Sequence, residues 1–238
     1  MPLSFDEARA RLVFPLDYPT FDEARRGASL VAPAVGVLKV GLELFVREGP
    51  RAVTMGRQLG LDVFLDLKLH DIPETVERAV RSAAELGARY LTVHAAGGQA
   101  MLKRAVDAAA LASEPLTILA VTVLTSLDES DLLAQSVRSS PAQHALTLAK
   151  VAYDAGVRGL VCSAAELRLL RTALDPAMMI VTPGIRPSGS GADDQKRVAT
   201  PTSAIQDGAS LLVVGRPIRD AADPLAAARI IVAEIARA

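Results

Sequence analysis

DVFLDLKLHDIPETVERAVRSAAELGARYLTVH, residues 62–94, decides the fold. It opens on a short apolar run, DVFLDLK (62–68), that predicts a buried strand. It continues as PETVERAVRSAAELG (73–87), with apolar residues at helical spacing and Gly87 where a helix would end. It closes on a second apolar run, RYLTVH (89–94). Strand, helix and strand in this order form a β/α unit, and the first strand ends in charge. Alternation puts Asp66 and Lys68 on one face and Leu65, Leu67 and Leu69 on the other. Charges at the end of an apolar strand are costly unless they pair. Asp71 follows three residues on, and a lysine held between two carboxylates is favoured in its ammonium form, a proton donor for a strong base.

The same alternation runs outward in both directions. Upstream lie RLVFPLD (11–17) and VGVLKV (35–40); downstream lie LTILAVTV (116–123), RGLVCS (158–163), MMIVT (178–182) and SLLVVG (210–215). Amphipathic stretches such as GQAMLKRAVDAAALA (98–112) and DPLAAARIIVAEIARA (223–238) separate or follow them, and Gly60 and Gly156 stand where further helices would stop. Eight such units in 238 residues predict an α/β fold of the (β/α)8 TIM-barrel type, one domain over 1–238, with a doubly wound open sheet as the rival. PGIRPSGSGADDQKRVATP (183–201) breaks the alternation. A loop of this length and composition predicts a lid or binding loop at about 186–200, against a plain solvated loop.

Composition narrows the function. Net charge is −1, from 26 basic and 27 acidic residues, and there is no Trp. Nucleic-acid binders usually carry a basic excess and aromatic stacking platforms, so nucleic acid is not an expected partner. The most apolar long window, Val31 to Val46, is broken by Pro33, Lys39 and Glu43, so no membrane span is expected. The N-terminus shows no signal peptide. The single Cys162 cannot form an internal disulfide, which suits the cytoplasm, and it reads as a buried small hydrophobe.

Active sites of such barrels lie at the C-terminal ends of the strands. Those ends supply Asp17, Lys39, Asp66 with Lys68, His94, Thr125 with Ser126, Pro183 to Arg186, and Gly215 with Arg216. Any one is weak evidence; a purely structural barrel has little reason to supply them all. Loops after the seventh and eighth strands commonly bind phosphate, so Arg186 and Arg216 read as ligands of an anionic group, with surface salt bridges as the bland alternative. The three histidines lack metal-ligand spacing, and no nucleophile elbow, P-loop or dinucleotide fingerprint is present. No metal and no cofactor are expected.

FLDLKLHDIPETV, LTVHAAGG, VTVLTS, VTPGIRPSGSGADDQKRVATP and VVGRPI, with LVFPLDYP and LKVGLELF before them, resemble the successive signatures of the orotidine 5′-phosphate decarboxylase family. The resemblance covers essentially the whole chain. It implies cofactor-independent decarboxylation of orotidine 5′-phosphate to UMP by a homodimer. Carried over motif by motif, it implies Lys68 as proton donor and Asp66 facing the departing carboxylate. Asp71 would complete the charge array from the neighbouring subunit, accompanied by Ile72 and Thr75. Lys39 would hold the aspartates and bind ribose with Asp17. Thr125 and Ser126 would meet the pyrimidine edge beside Pro183. Gln195, Gly215 and Arg216 would grip the 5′-phosphate, with Arg186 in the same region. His94 receives no chemical role. Two alternatives stay open: a Mg²⁺-dependent sugar-phosphate decarboxylase or synthase that shares D-x-K-x-x-D, and a non-catalytic barrel that binds nucleotide phosphates. Pro15 departs from expectation, because a proline within a central strand removes a ladder donor and unsettles the placement of Asp17.

Overall fold

Each predicted apolar run becomes a strand in the computed structural model, which describes residues 3–187 and 199–238. Among these residues the strands are β1 (Leu12–Pro15), β2 (Val37–Gly41), β3 (Asp62–Leu69), β4 (Tyr90–His94), β5 (Thr117–Val121), β6 (Gly159–Val161), β7 (Met179–Thr182) and β8 (Leu211–Val213). All pair in parallel, in sequence order, and β8 returns to pair with β1. The closed barrel excludes the doubly wound sheet, and helices fill the crossovers that parallel strands require. No helix among the described residues is long and apolar enough to cross a membrane.

Strand alternation divides the apolar residues into two cores. Val13, Val37, Phe64, Tyr90, Leu119, Val181 and Leu211 pack together inside the barrel. Leu12, Leu38, Val63, Leu65, Leu91, Ile118, Leu160, Ile180 and Leu212 point outward and pack under the helices. Strands buried on both faces read as continuous apolar runs, which explains why their periodicity is weak in the sequence.

The helix Pro73–Glu85 shows how the outer layer forms. Pro73 occupies its first turn, where the missing N–H costs nothing. Val76, Val80 and Ala83, spaced four and three apart, face the barrel and are buried. Gly87 follows with φ of 74°, a conformation that costs glycine little. Gly60 and Gly156 take the same left-handed conformation after their helices.

Pro15 proves compatible with its strand. The β1–β8 ladder ends at Val13↔Val213, so position 15 has no β8 partner to lose. On the other side, Leu16 still donates its N–H to the Lys39 carbonyl at 2.8 Å. The proline ring instead shapes the cavity, because a Cβ at position 215 would come within 3.0 Å of its Cγ. A side chain at 215 would press on that ring, and glycine leaves the space where the chain departs β8.

Candidate active site

Continued toward its C-terminal end, the inward face of six of the strands leaves the apolar core and reaches the barrel mouth. Val13 leads to Pro15 and Asp17, Val37 to Lys39, and Phe64 to Asp66 and Lys68. Leu119 leads to Val121, Val123 and Thr125, Val181 to Pro183, and Leu211 to Val213 and Gly215. The residues so reached, together with Phe64, line a cavity of about 300 Å³, joined by Leu124, Val161, Cys162, Gly184, Arg186 and Arg216. One wall is charged and the facing wall, around Val121, Val123 and Val161, is apolar. A planar ring with one charged edge suits such a cavity.

The charged wall centres on Asp66, which is 8% exposed. Lys68 Nζ donates to Asp66 Oδ1 at 2.8 Å and to Oδ2 at 2.9 Å. Lys39 Nζ lies 3.4 Å from Asp66 Oδ2 and 3.6 Å from Asp17 Oδ1, bridging the two carboxylates. Gly41 leaves room for that ammonium, because a Cβ there would stand 3.1 Å from Lys39 Nζ. Burial pushes the Asp66 carboxyl up, but Lys39, Lys68 and hydrogen bonds from Lys68 and Thr92 outweigh it and hold Asp66 below the ordinary aspartate value. Asp66 is therefore ionised at neutral pH.

Thr92 is the site residue that the sequence reading passed over. It is fully buried; its Oγ1 donates to Asp66 Oδ1 at 2.9 Å and accepts the Lys68 backbone N–H at 2.9 Å. The signal lay in YLTVH, where alternation sets Thr92 on the inward face between Tyr90 and His94. Lys68 itself takes φ of 50°, a left-handed conformation uncommon outside glycine. Alternation alone gives no warning of it.

The remaining sequence candidates fall into groups. Thr125, Pro183, Arg186, Gly215 and Arg216 join the cavity wall; Ser126 is exposed and is not among the residues lining it. Arg186 is 7% exposed, and its backbone N–H donates to the Ala199 carbonyl at 2.9 Å, next to a bridge between Ile185 and Ala199. Gln195 and most of the predicted loop lie outside the described residues. Asp71, Ile72 and Thr75 are exposed and do not line this protomer's cavity. The Asp71 carboxylate accepts the Ile72 N–H at 2.6 Å, so within one chain Lys68 sits against one carboxylate, not between two.

Cys162 and His94 are not poised for chemistry. Burial pushes the Cys162 thiol up, which keeps it protonated. His94 stands beside His70, ring centroids 5.4 Å apart, and burial, His70 and Lys68 hold it below the ordinary imidazole value. Among the described residues no cluster of His, Cys, Asp and Glu is placed to hold a metal ion.

Comparison with known proteins points one way. The sequence profile described as "Orotidine 5'-phosphate decarboxylase / HUMPS family" matches residues 10–231. The chain is 54% identical over 223 residues to the orotidine 5′-phosphate decarboxylase of Anaeromyxobacter sp. (strain K), covering 94% of this chain and 97% of that protein. It is 50% identical over 230 residues to the protein of the same name from Thermobifida fusca (strain YX), covering 95% and 96%. Among solved structures, that of orotidine 5′-phosphate decarboxylase from Lactobacillus acidophilus superposes with a TM-score of 0.82 at 37% identity, covering 94% of this chain and 98% of the other.

Proposed function

The chain belongs to the orotidine 5′-phosphate decarboxylase family and converts orotidine 5′-phosphate to UMP and carbon dioxide in pyrimidine biosynthesis; we propose that Lys68, ion-paired to Asp66 at the barrel mouth, supplies the proton that replaces the carboxylate. The observation that carries this reading is the Lys68–Asp66 pair at 2.8 Å, exposed to a cavity whose opposite wall is apolar.

Breaking the bond between the ring carbon C6 and its carboxylate leaves the electron pair on C6, in the plane of the ring. The pair is orthogonal to the π-system and cannot delocalise into it. An ammonium already in place stabilises the developing carbanion and then transfers a proton to it, leaving a neutral amine on Lys68. Because Asp66, itself paired with Lys39, fixes the Lys68 ammonium before substrate arrives, little reorganisation accompanies the step. Asp66 also faces the leaving carboxylate. The step as written uses only the substrate and a protein proton, and it involves no cofactor.

The rest of the cavity binds the nucleotide in this reading. Asp17 and Lys39 take the ribose hydroxyls, and Thr125 with Pro183 borders the pyrimidine, with Ser126 at its edge. Gly215, Arg216 and Arg186 receive the 5′-phosphate together with Gln195. The chain works as one catalytic barrel whose segment at about 186–200 closes over that phosphate. Such a remote grip can lower the barrier if it helps assemble the charged array.

The working unit in this reading is a cytoplasmic homodimer in which Asp71, Ile72 and Thr75 complete the neighbouring site. Two observations support a dimer. Asp71 is absent from its own cavity, and Leu42, Val46 and Ile72, which follow the neighbouring strands β2 and β3, are 52%, 82% and 65% exposed. Exposed apolar side chains on the segments that follow two neighbouring strands suit an interface. The one free cysteine fits a reducing compartment.

Loss of absorbance on adding orotidine 5′-phosphate, with UMP identified as product, tests the reading. Activity should survive a metal chelator; loss with chelator would instead favour a metal-dependent mechanism. Asp66 ionises below the ordinary value of 3.8, so the pH profile of kcat/KM should show no acidic limb from it above that value.

A further inference from the structure

A register fault lies beside the proton donor. In the β3–β4 ladder Leu65 pairs with Leu91, and the next partners are Leu69 and Val93. Four steps along β3 are thus matched to two along β4, so Asp66, Leu67 and Lys68 stand opposite Thr92 alone, and the two surplus residues make the strand bulge at the cavity wall. Bulges re-aim side chains at the cost of ladder hydrogen bonds. Here the cost falls on Lys68, which adopts φ of 50° and directs its backbone N–H to a side chain. A non-glycine residue held there is strained and persists only when its surroundings over-determine it.

We propose that Thr92 is the positioning residue that holds this bulge, and through it the Asp66–Lys68 pair, in the geometry that decarboxylation requires. One hydroxyl acts on both partners. It accepts the Lys68 backbone N–H, so the amide left without a ladder partner is satisfied, and it donates to Asp66 Oδ1, which fixes the carboxylate that receives Lys68 Nζ. The hydroxyl is fully buried, so water cannot take its place without the wall opening. Loss of the hydroxyl leaves a buried N–H unpaired and frees both the Lys68 backbone and the Asp66 carboxylate to shift. A displacement of about 1 Å in such an array costs about a hundredfold in rate. The role rests on Lys68 being the proton donor, and it concerns the chemical step more than nucleotide binding, because Thr92 does not line the cavity.

Thr92→Val removes the hydroxyl at nearly constant volume, and Thr92→Ser keeps the hydroxyl and removes a methyl group. Steady-state kinetics on orotidine 5′-phosphate should show kcat down about a hundredfold in Thr92→Val with KM within about threefold of the parent. Thr92→Ser should recover kcat to within about fivefold of the parent. If Thr92→Val does not fold, Thr92→Ala removes the same hydroxyl without adding bulk, and the same split between kcat and KM is expected. Parent-like kcat in a variant without the hydroxyl overturns the proposal. So does a Ser variant as slow as Val, or a loss confined to KM. Lys68→Ala measured alongside separates the two ideas. If it retains turnover, the proton-donor reading fails; if it is inactive while Thr92→Val is normal, only the role of Thr92 fails.

Discussion

Lys68→Ala should lose turnover altogether: kcat falls by at least about 10⁴-fold, because general-acid transfer and preorganised electrostatic stabilisation are removed together. Binding of UMP should persist. The groups assigned to the ribose and phosphate, Asp17, Lys39, Gly215 and Arg216, lie elsewhere on the cavity wall. The variant should also fold, since Asp66 keeps Lys39 at 3.4 Å and the Thr92 hydroxyl at 2.9 Å and is not left as an unpaired buried charge. Steady-state kinetics with a parallel UMP titration reads both quantities. Near-parental kcat would remove Lys68 from its role, and loss of UMP binding would show that the substitution damaged the site as a whole.

The second large effect concerns Asp71. Alone, Asp71→Ala and Lys68→Ala should each be inactive. If Asp71 serves the neighbouring site, mixing the two variants under conditions of subunit exchange should restore activity. In each mixed dimer one site carries both substitutions and the other carries neither. Random exchange then leaves about a quarter of all sites intact, so activity should approach about a quarter of the parent. Mass-verified exchange with no recovery would mean that both residues act within one chain. That outcome would demand movement of the exposed loop at Asp71, whose carboxylate now accepts the Ile72 N–H.

The barrel was legible because its strands are apolar on both faces and end in chemistry-bearing residues. VFLDLKL alone gave the inward direction of Asp66 and Lys68, and the same step of two places Asp17, Lys39, Thr125 and Gly215 at the cavity. Alternation fails where the backbone departs from ideal geometry. The left-handed Lys68, the mismatch between Leu65 and Leu69, and the hydroxyl of Thr92 that answers both depend on pairing between strands. One sequence read strand by strand does not contain that pairing. Pro15 misled for a related reason. A proline is costly in a strand only where a partner continues on the side its N–H would face; β2 still pairs with Pro15, but β8, on that side, has already turned away. Leu124 and Cys162, both off the inward alternation, reach the cavity because the chain leaves β5 and β6 in turns that no period of two describes. The His70–His94 contact likewise arises from the register that sets Leu69 against Val93.

A crystal structure of the protein with UMP bound measures the central claim directly. The Lys68 amine should lie in the plane of the pyrimidine, within about 3.5 Å of C6, still hydrogen-bonded to Asp66. An amine turned out of the cavity, or more than about 5 Å from C6 with another proton donor in its place, would contradict the account.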